Sequence, residues 1–99
     1  MTEEEAYLRF HLYGLPEHMR GGMYRWIEYG ILPGSFGLAI LRNNLVDSYG
    51  KADEINLDYM KQWAFWLYNY APADCWGSRA KIDAWMEHKG LNGLEEKKE

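Results

Sequence analysis

Residues 55–76, INLDYMKQWAFWLYNYAPADCW, constrain this chain more than any other stretch, because large aromatics recur in them at helical spacing. Wound as a helix, the segment carries two adjacent stripes. Leu57, Met60, Ala64 and Leu67 follow steps of three and four, and so do Tyr59, Trp63, Trp66 and Tyr70. Asp58, Lys61, Gln62 and Asn69 are left for water. One stripe seats the helix on a small core. The second needs another partner, either the rest of the chain or a different protein.

The remaining sequence supplies further short helices. Leu15-Pro16 opens the first, with Pro where a missing N–H costs nothing. Met19, Met23, Trp26 and Ile27 form its buried face, and Gly30 ends it. Gly21-Gly22 weakens that helix by roughly 1 kcal/mol per residue relative to Ala. The pair marks either a close approach by another group or a frayed first turn. Arg20, Tyr24 and Glu28, at steps of four, read as an exposed ion-paired row. A second helix, capped by Gly34 or Ser35, places Leu38, Leu41, Leu45 and Tyr49 on one face, which Phe36, Ile40 and Val46 widen; Gly50 ends it. Asp53 caps the aromatic helix. Ser78 caps a last one, with Ile82, Trp85 and Met86 inward and Gly90 closing it. The expected architecture is all-α, a compact bundle of about four short helices.

The first residues pull in two directions. Thr2-Glu3-Glu4-Glu5 has the form of a capping box, whereas Ala6, Leu8, Phe10 and Leu12 alternate with Tyr7, Arg9, His11 and Tyr13 at the period of a half-buried strand. A lone strand would pair most simply with its copy in a second subunit. The division expected is an N-terminal arm over 1–14, a helical domain over 15–90 and a frayed tail over 91–99.

Composition narrows the function classes. Ninety-nine residues make one domain, and 16% aromatic content, with five Trp and eight Tyr, is high for such a chain. A net charge of −4 opposes general nucleic-acid binding, which needs a basic stripe. No apolar run approaches the ~20 residues that span a bilayer, and no signal peptide opens the chain. A single cysteine, Cys75, forms no internal disulfide and fits a reducing cytoplasm.

Catalytic and metal chemistry find little footing. His11, His18, His88 and Cys75 are scattered, with no ligand pair at i,i+4 and no CxxC, so no metal and no cofactor are expected. Cys75 beside Trp76 reads as a packed thiol, and Gly77-Ser78 lacks the rest of a P-loop. Asn43, Asn44, Asp47, Asp53 and Asn56 bracket one loop. They either converge on a ligand or cation, as a small enzyme would require, or serve as caps and turn formers.

Several short motifs in fixed order carry a resemblance. Leu15-Pro16-Glu17-His18-Met19 is followed by Trp26-Ile27-Glu28-Tyr29-Gly30-Ile31 and Pro33-Gly34-Ser35-Phe36. Asn43-Asn44-Leu45, Ala52-Asp53-Glu54-Ile55-Asn56, Leu67-Tyr68-Asn69 and Cys75-Trp76-Gly77-Ser78 come next. Over roughly residues 15–85 the chain resembles a family of short proteins encoded by tailed phages and prophages. Asn44 stands where that family tends to have Asp, and the arm over 6–13 precedes its usual start. The resemblance implies an accessory protein acting in the host bacterial cytoplasm.

The expectation is therefore a non-enzymatic binding protein, a homo-oligomer, that inhibits a host defence system. It would bind a defence protein or sequester its nucleotide signal. Trp63, Trp66, Tyr70 or Trp76 would stack the base, and Arg20, Arg25 or Lys81 would neutralise phosphate. The alternatives are a small enzyme or cation site on Asn43, Asp47, Asp53 and Asn56, or a phage regulatory accessory protein.

Overall fold

Three residues, Asn43, Tyr59 and Lys89, decide how many helices form among the described residues. The computed structural model describes residues 12–97, with side chains through residue 93. A 3-10 turn (Glu17–Met19) leads into α1 (Arg20–Tyr29). Then come α2 (Ser35–Leu41), α3 (Leu45–Lys51), α4 (Glu54–Asp58) and α5 (Met60–Asn69). A second 3-10 turn (Ala73–Cys75) precedes α6 (Arg79–Glu87) and α7 (Gly90–Lys97). The described chain is all-α and compact, with a radius of gyration of 12.8 Å, and no strand occurs among the described residues. Residues 6–11 of the alternating arm lie outside them.

The helices number seven rather than about four, and each extra break has a local cause. Asn43 takes the left-handed conformation, φ 63°, which Asn tolerates better than most residues. Asn44 then N-caps α3, its side chain accepting from Asp47 N–H at 3.0 Å. Tyr59, at φ −116° and ψ 19°, donates its N–H to Asn56 O at 3.0 Å and separates α4 from α5. Lys89 and Gly90, at φ 63° and 68°, turn the chain into α7. The stretch expected to fray after Gly90 is thus helical through Lys97, and Leu91 packs against the core.

The core is built on tryptophan. Trp26, Trp63 and Trp66 are fully buried, as are Met23 and Leu41, and Trp85 is 1% exposed. Trp63 meets Phe36 and Trp66 edge-on, with both centroid separations 5.7 Å, the arrangement ring quadrupoles favour. Buried indole N–H groups need acceptors, and two of them find backbone carbonyls far away in sequence. Trp26 Nε1 donates to Cys75 O at 3.1 Å, and Trp85 Nε1 to Trp26 O at 2.8 Å. These bonds tie the start of the chain to its last third.

The α1 and α7 ends meet glycine to glycine. A Cβ on Gly30 would lie 2.9 Å from Trp85 O, and one on Gly90 would lie 2.7 Å from both the Glu28 carbonyl and Gly30 N. Both positions also need positive φ, so glycine is required twice over.

The close approach covers Glu28, which is buried, so Arg20, Tyr24 and Glu28 are not an exposed row. The break at Asn43 turns α3 away, leaving Leu45, Val46 and Tyr49 exposed instead of core. Met86, expected inward, is 40% exposed.

Candidate functional site

Two surface features stand out. The first is a cleft between the start of α1 and the turn into α2, about 340 Å³ in volume. It is lined by His18, Met19, Gly22 and Arg25 on one wall and by residues 33–37 on the other. The Gly21-Gly22 pair acquires a purpose here. A Cβ on Gly21 would sit 3.1 Å from Arg25 Nη1, so the missing side chain lets the guanidinium fold back over its own first turn. The Arg25 side chain has no ion-pair or hydrogen-bond partner among the described residues.

His18 is held from behind. Its Nε2 lies 3.0 Å from Asp53 Oδ2 and 3.4 Å from Asn56 Nδ2. Asn56 is 1% exposed, and its Oδ1 accepts from Trp63 Nε1 at 3.1 Å. Indole nitrogen only donates, so the Asn56 oxygen must face Trp63 and its amide nitrogen must face His18. The shorter contact assigns the His18 Nε2 proton to Asp53, so the Asn56 amide nitrogen, itself a donor, only abuts the ring at 3.4 Å, and Nδ1 is the uncommitted ring nitrogen. Asp53 Oδ1 meanwhile accepts from Asn56 N–H at 2.7 Å. That backbone bond, with His18 adding to it, holds the Asp53 carboxyl below its ordinary value.

The second feature is an apolar face on α3 to α5. Tyr68 is 83% exposed, Val46 82% and Leu45 68%, with Tyr49, Leu57 and Phe65 about half exposed. A groove of about 90 Å³ runs between α3 and α5. Ile40, Leu45, Met60, Ala64 and Leu67 form its apolar lining, and Asn43, Asn44 and Ser48 its polar edge. Lys61 Nζ lies 5.6 Å from the Phe65 ring centroid, a cation–π contact on the same helix.

Of the seven residues expected to bind a ligand, Trp63, Trp66 and Tyr70 stand in ring contact along α5 and its end, at 5.7 and 6.1 Å between centroids, and the others lie elsewhere. Trp63 and Trp66 belong to the core, where stacking a base would require opening it. Tyr70 is half-buried between Trp66 and Tyr13, at 6.1 and 6.4 Å between centroids. Trp76 and Lys81 flank the turn into α6, with Lys81 Nζ donating to Ala73 O at 3.2 Å. Arg20 lies 4.0 Å from Glu17. Arg25 alone lines the cleft.

The polar set around the α3–α4 loop is mostly occupied with structure. Asp47 pairs with Lys51 at 3.1 Å, Asp53 caps α4, and Asn56 bonds Trp63. Cys75 is fully buried, and burial pushes its thiol up to about 12, far from the thiolate a nucleophile needs.

Sequence reasoning missed His18 and Ser35 in the cleft and Val46, Phe65 and Tyr68 on the apolar face. For the face a signal was present: Phe65 and Tyr68, three apart, belong to neither stripe of residues 55–76, and so mark a third apolar line. For His18 there was none, because Asp53 is 35 residues away. Comparison with known protein families, with curated proteins and with solved structures gives no match for this chain.

Proposed function

We propose that this chain is a non-enzymatic binding protein that acts through protein–protein contact, with the α3–α5 face as its docking surface. The observation that carries this reading is the exposure of Leu45, Val46 and Tyr68 on the two helices that border one groove, which Leu45 lines. Large exposed apolar side chains on neighbouring elements mark interaction sites. The recess between α3 and α5 suits an amphipathic helix of the partner, whose apolar side chains would enter it. Asn43, Asn44 and Ser48 supply the polar edge that fixes register.

The motif resemblance gives the partner its identity in this proposal: a host defence protein in the bacterial cytoplasm, inhibited by a phage-encoded accessory protein. Burial of Trp63 and Trp66 favours the protein target over a signal nucleotide stacked on those rings. Homo-oligomerisation through the same face is the competing occupancy.

The test is a double variant, Val46→Asp with Tyr68→Asp, expressed in a bacterium whose defence system the wild-type chain silences. Both positions are more than four-fifths exposed, so the circular dichroism spectrum and melting temperature should stay close to wild type. Loss of silencing with the fold intact is the expected result. Full silencing by the double variant would remove the α3–α5 face from consideration. Sedimentation of the wild-type chain separates the two occupancies: a dimer that the double variant dissociates makes the face a self-interface.

A further inference from the structure

We propose that the cleft between α1 and residues 33–37 is a binding site for a small phosphorylated molecule, with Arg25 as its principal anchor. The proposal is independent of the docking face, which lies on other helices.

Arg25 supports it first. Guanidinium presents a planar fork of donors that matches phosphate oxygens in pairs. This one is folded over Gly21 into a cleft wall, at a position where even a methyl group on the neighbour would crowd it. It has no partner among the described residues, although the chain carries 15 acidic side chains to 11 basic ones. None of the residues lining the cleft is acidic. An anion beside Arg25 therefore meets no carboxylate on the cleft lining, Asp53 standing behind His18.

His18 supports it second. Asp53 holds the ring at Nε2, so the imidazole sits at the cleft edge with Nδ1 uncommitted. Nδ1 remains for a polar group of the ligand. Ser35 adds a hydroxyl from the opposite wall, and glycines at 22 and 34 leave the backbone accessible.

The volume sets the ligand's size. About 340 Å³ lies at the lower end of the roughly 300–1,000 Å³ typical of small-molecule sites. Inorganic phosphate would fill only part of it. The half-buried Met19 and Pro33 are left to pack against a compact apolar or planar body carried by the phosphoryl group.

Protein-observed NMR on the full chain tests this with four probes: inorganic phosphate, phenyl phosphate, adenosine monophosphate and, as the uncharged control, phenol. The expected result is saturable shifts of the amides at Gly22, Gly34, Ser35 and Gly37, with phenyl phosphate tighter than inorganic phosphate and no saturation by phenol. Arg25→Ala should weaken phenyl phosphate by about tenfold or more. Arg25→Lys, which keeps the charge and loses the fork, should fall between. Arg42→Ala, a change at an exposed arginine outside the cleft, should leave affinity unchanged. Tighter binding of adenosine monophosphate than of phenyl phosphate would identify nucleotides as the source; equal binding would identify the phosphoryl group with any planar body. Absence of saturation by every phosphate in the millimolar range, or equal affinity in wild type and Arg25→Ala, overturns the proposal.

Discussion

Asn56→Leu is the substitution that most directly probes how the two halves of the cleft support are joined. The side chain is 1% exposed, accepts from Trp63 Nε1 at 3.1 Å and faces His18 with its amide nitrogen. Leucine keeps the branched outline with a better helix propensity and a larger volume, whose packing cost cancels in the comparison with the Trp63→Phe background. The change removes the acceptor that the buried Trp63 indole uses. A stranded buried donor costs about 1–3 kcal/mol, a figure that already contains the lost hydrogen bond. The expected destabilisation is therefore about 1–3 kcal/mol. For a domain of this length, each kcal/mol shifts the melting temperature by about 4–8 °C, so a drop on the order of 10 °C should appear in thermal melts. Trp63→Phe removes the donor instead, and the double variant should then cost clearly less than the sum of the singles, since both polar partners are gone together. Urea titration of the four proteins gives the coupling energy. Additive costs, or a loss below about 0.5 kcal/mol for Asn56→Leu, would refute the assignment of the Asn56–Trp63 bond as a supporting element.

Three further outcomes follow from the geometry. Asp53 has its folded carboxyl below its ordinary value of 3.8, so its contribution is present above that value and is lost as pH falls through the lower folded one. Asp53→Asn, which keeps the cap, should flatten the stability change below pH 3.8 in an acid titration followed by circular dichroism. Gly90→Ala should destabilise by more than the ~1–2 kcal/mol of left-handed strain, because its Cβ would lie 2.7 Å from the Glu28 carbonyl; equilibrium denaturation measures it. Cys75, fully buried with its thiol pushed up to about 12, should resist a thiol reagent at neutral pH until the chain unfolds, so that labelling tracks the unfolding midpoint.

What the sequence made legible was local. Gly30 ends α1 in the left-handed conformation, Asp53 caps α4 and Ser78 caps α6, because each such signal acts within a few residues of itself. The stripe of Tyr59, Trp63, Trp66 and Tyr70 was equally visible, but periodicity records only that a face is apolar. It holds no information on whether the chain or another protein covers that face. Asn43 hid a break for the same reason: Leu41 and Leu45 keep helical spacing across it, although one is fully buried and the other 68% exposed. His18, silent in sequence, gains meaning only when folding brings Asp53 and Asn56 to it. Arg25 was legible as a candidate anion contact; the space that Gly21 clears for it was not.

A ribosome delivers α1 long before it delivers Trp85 and Gly90. Until those residues emerge, the Trp26 carbonyl lacks its indole donor and the end of α1 lacks the turn that closes over Glu28. A nascent chain halted after Tyr70 therefore holds its tryptophans without the segments that seal them. Synthesis must finish before this core can shut, and until then the exposed indoles are a substrate for chaperones.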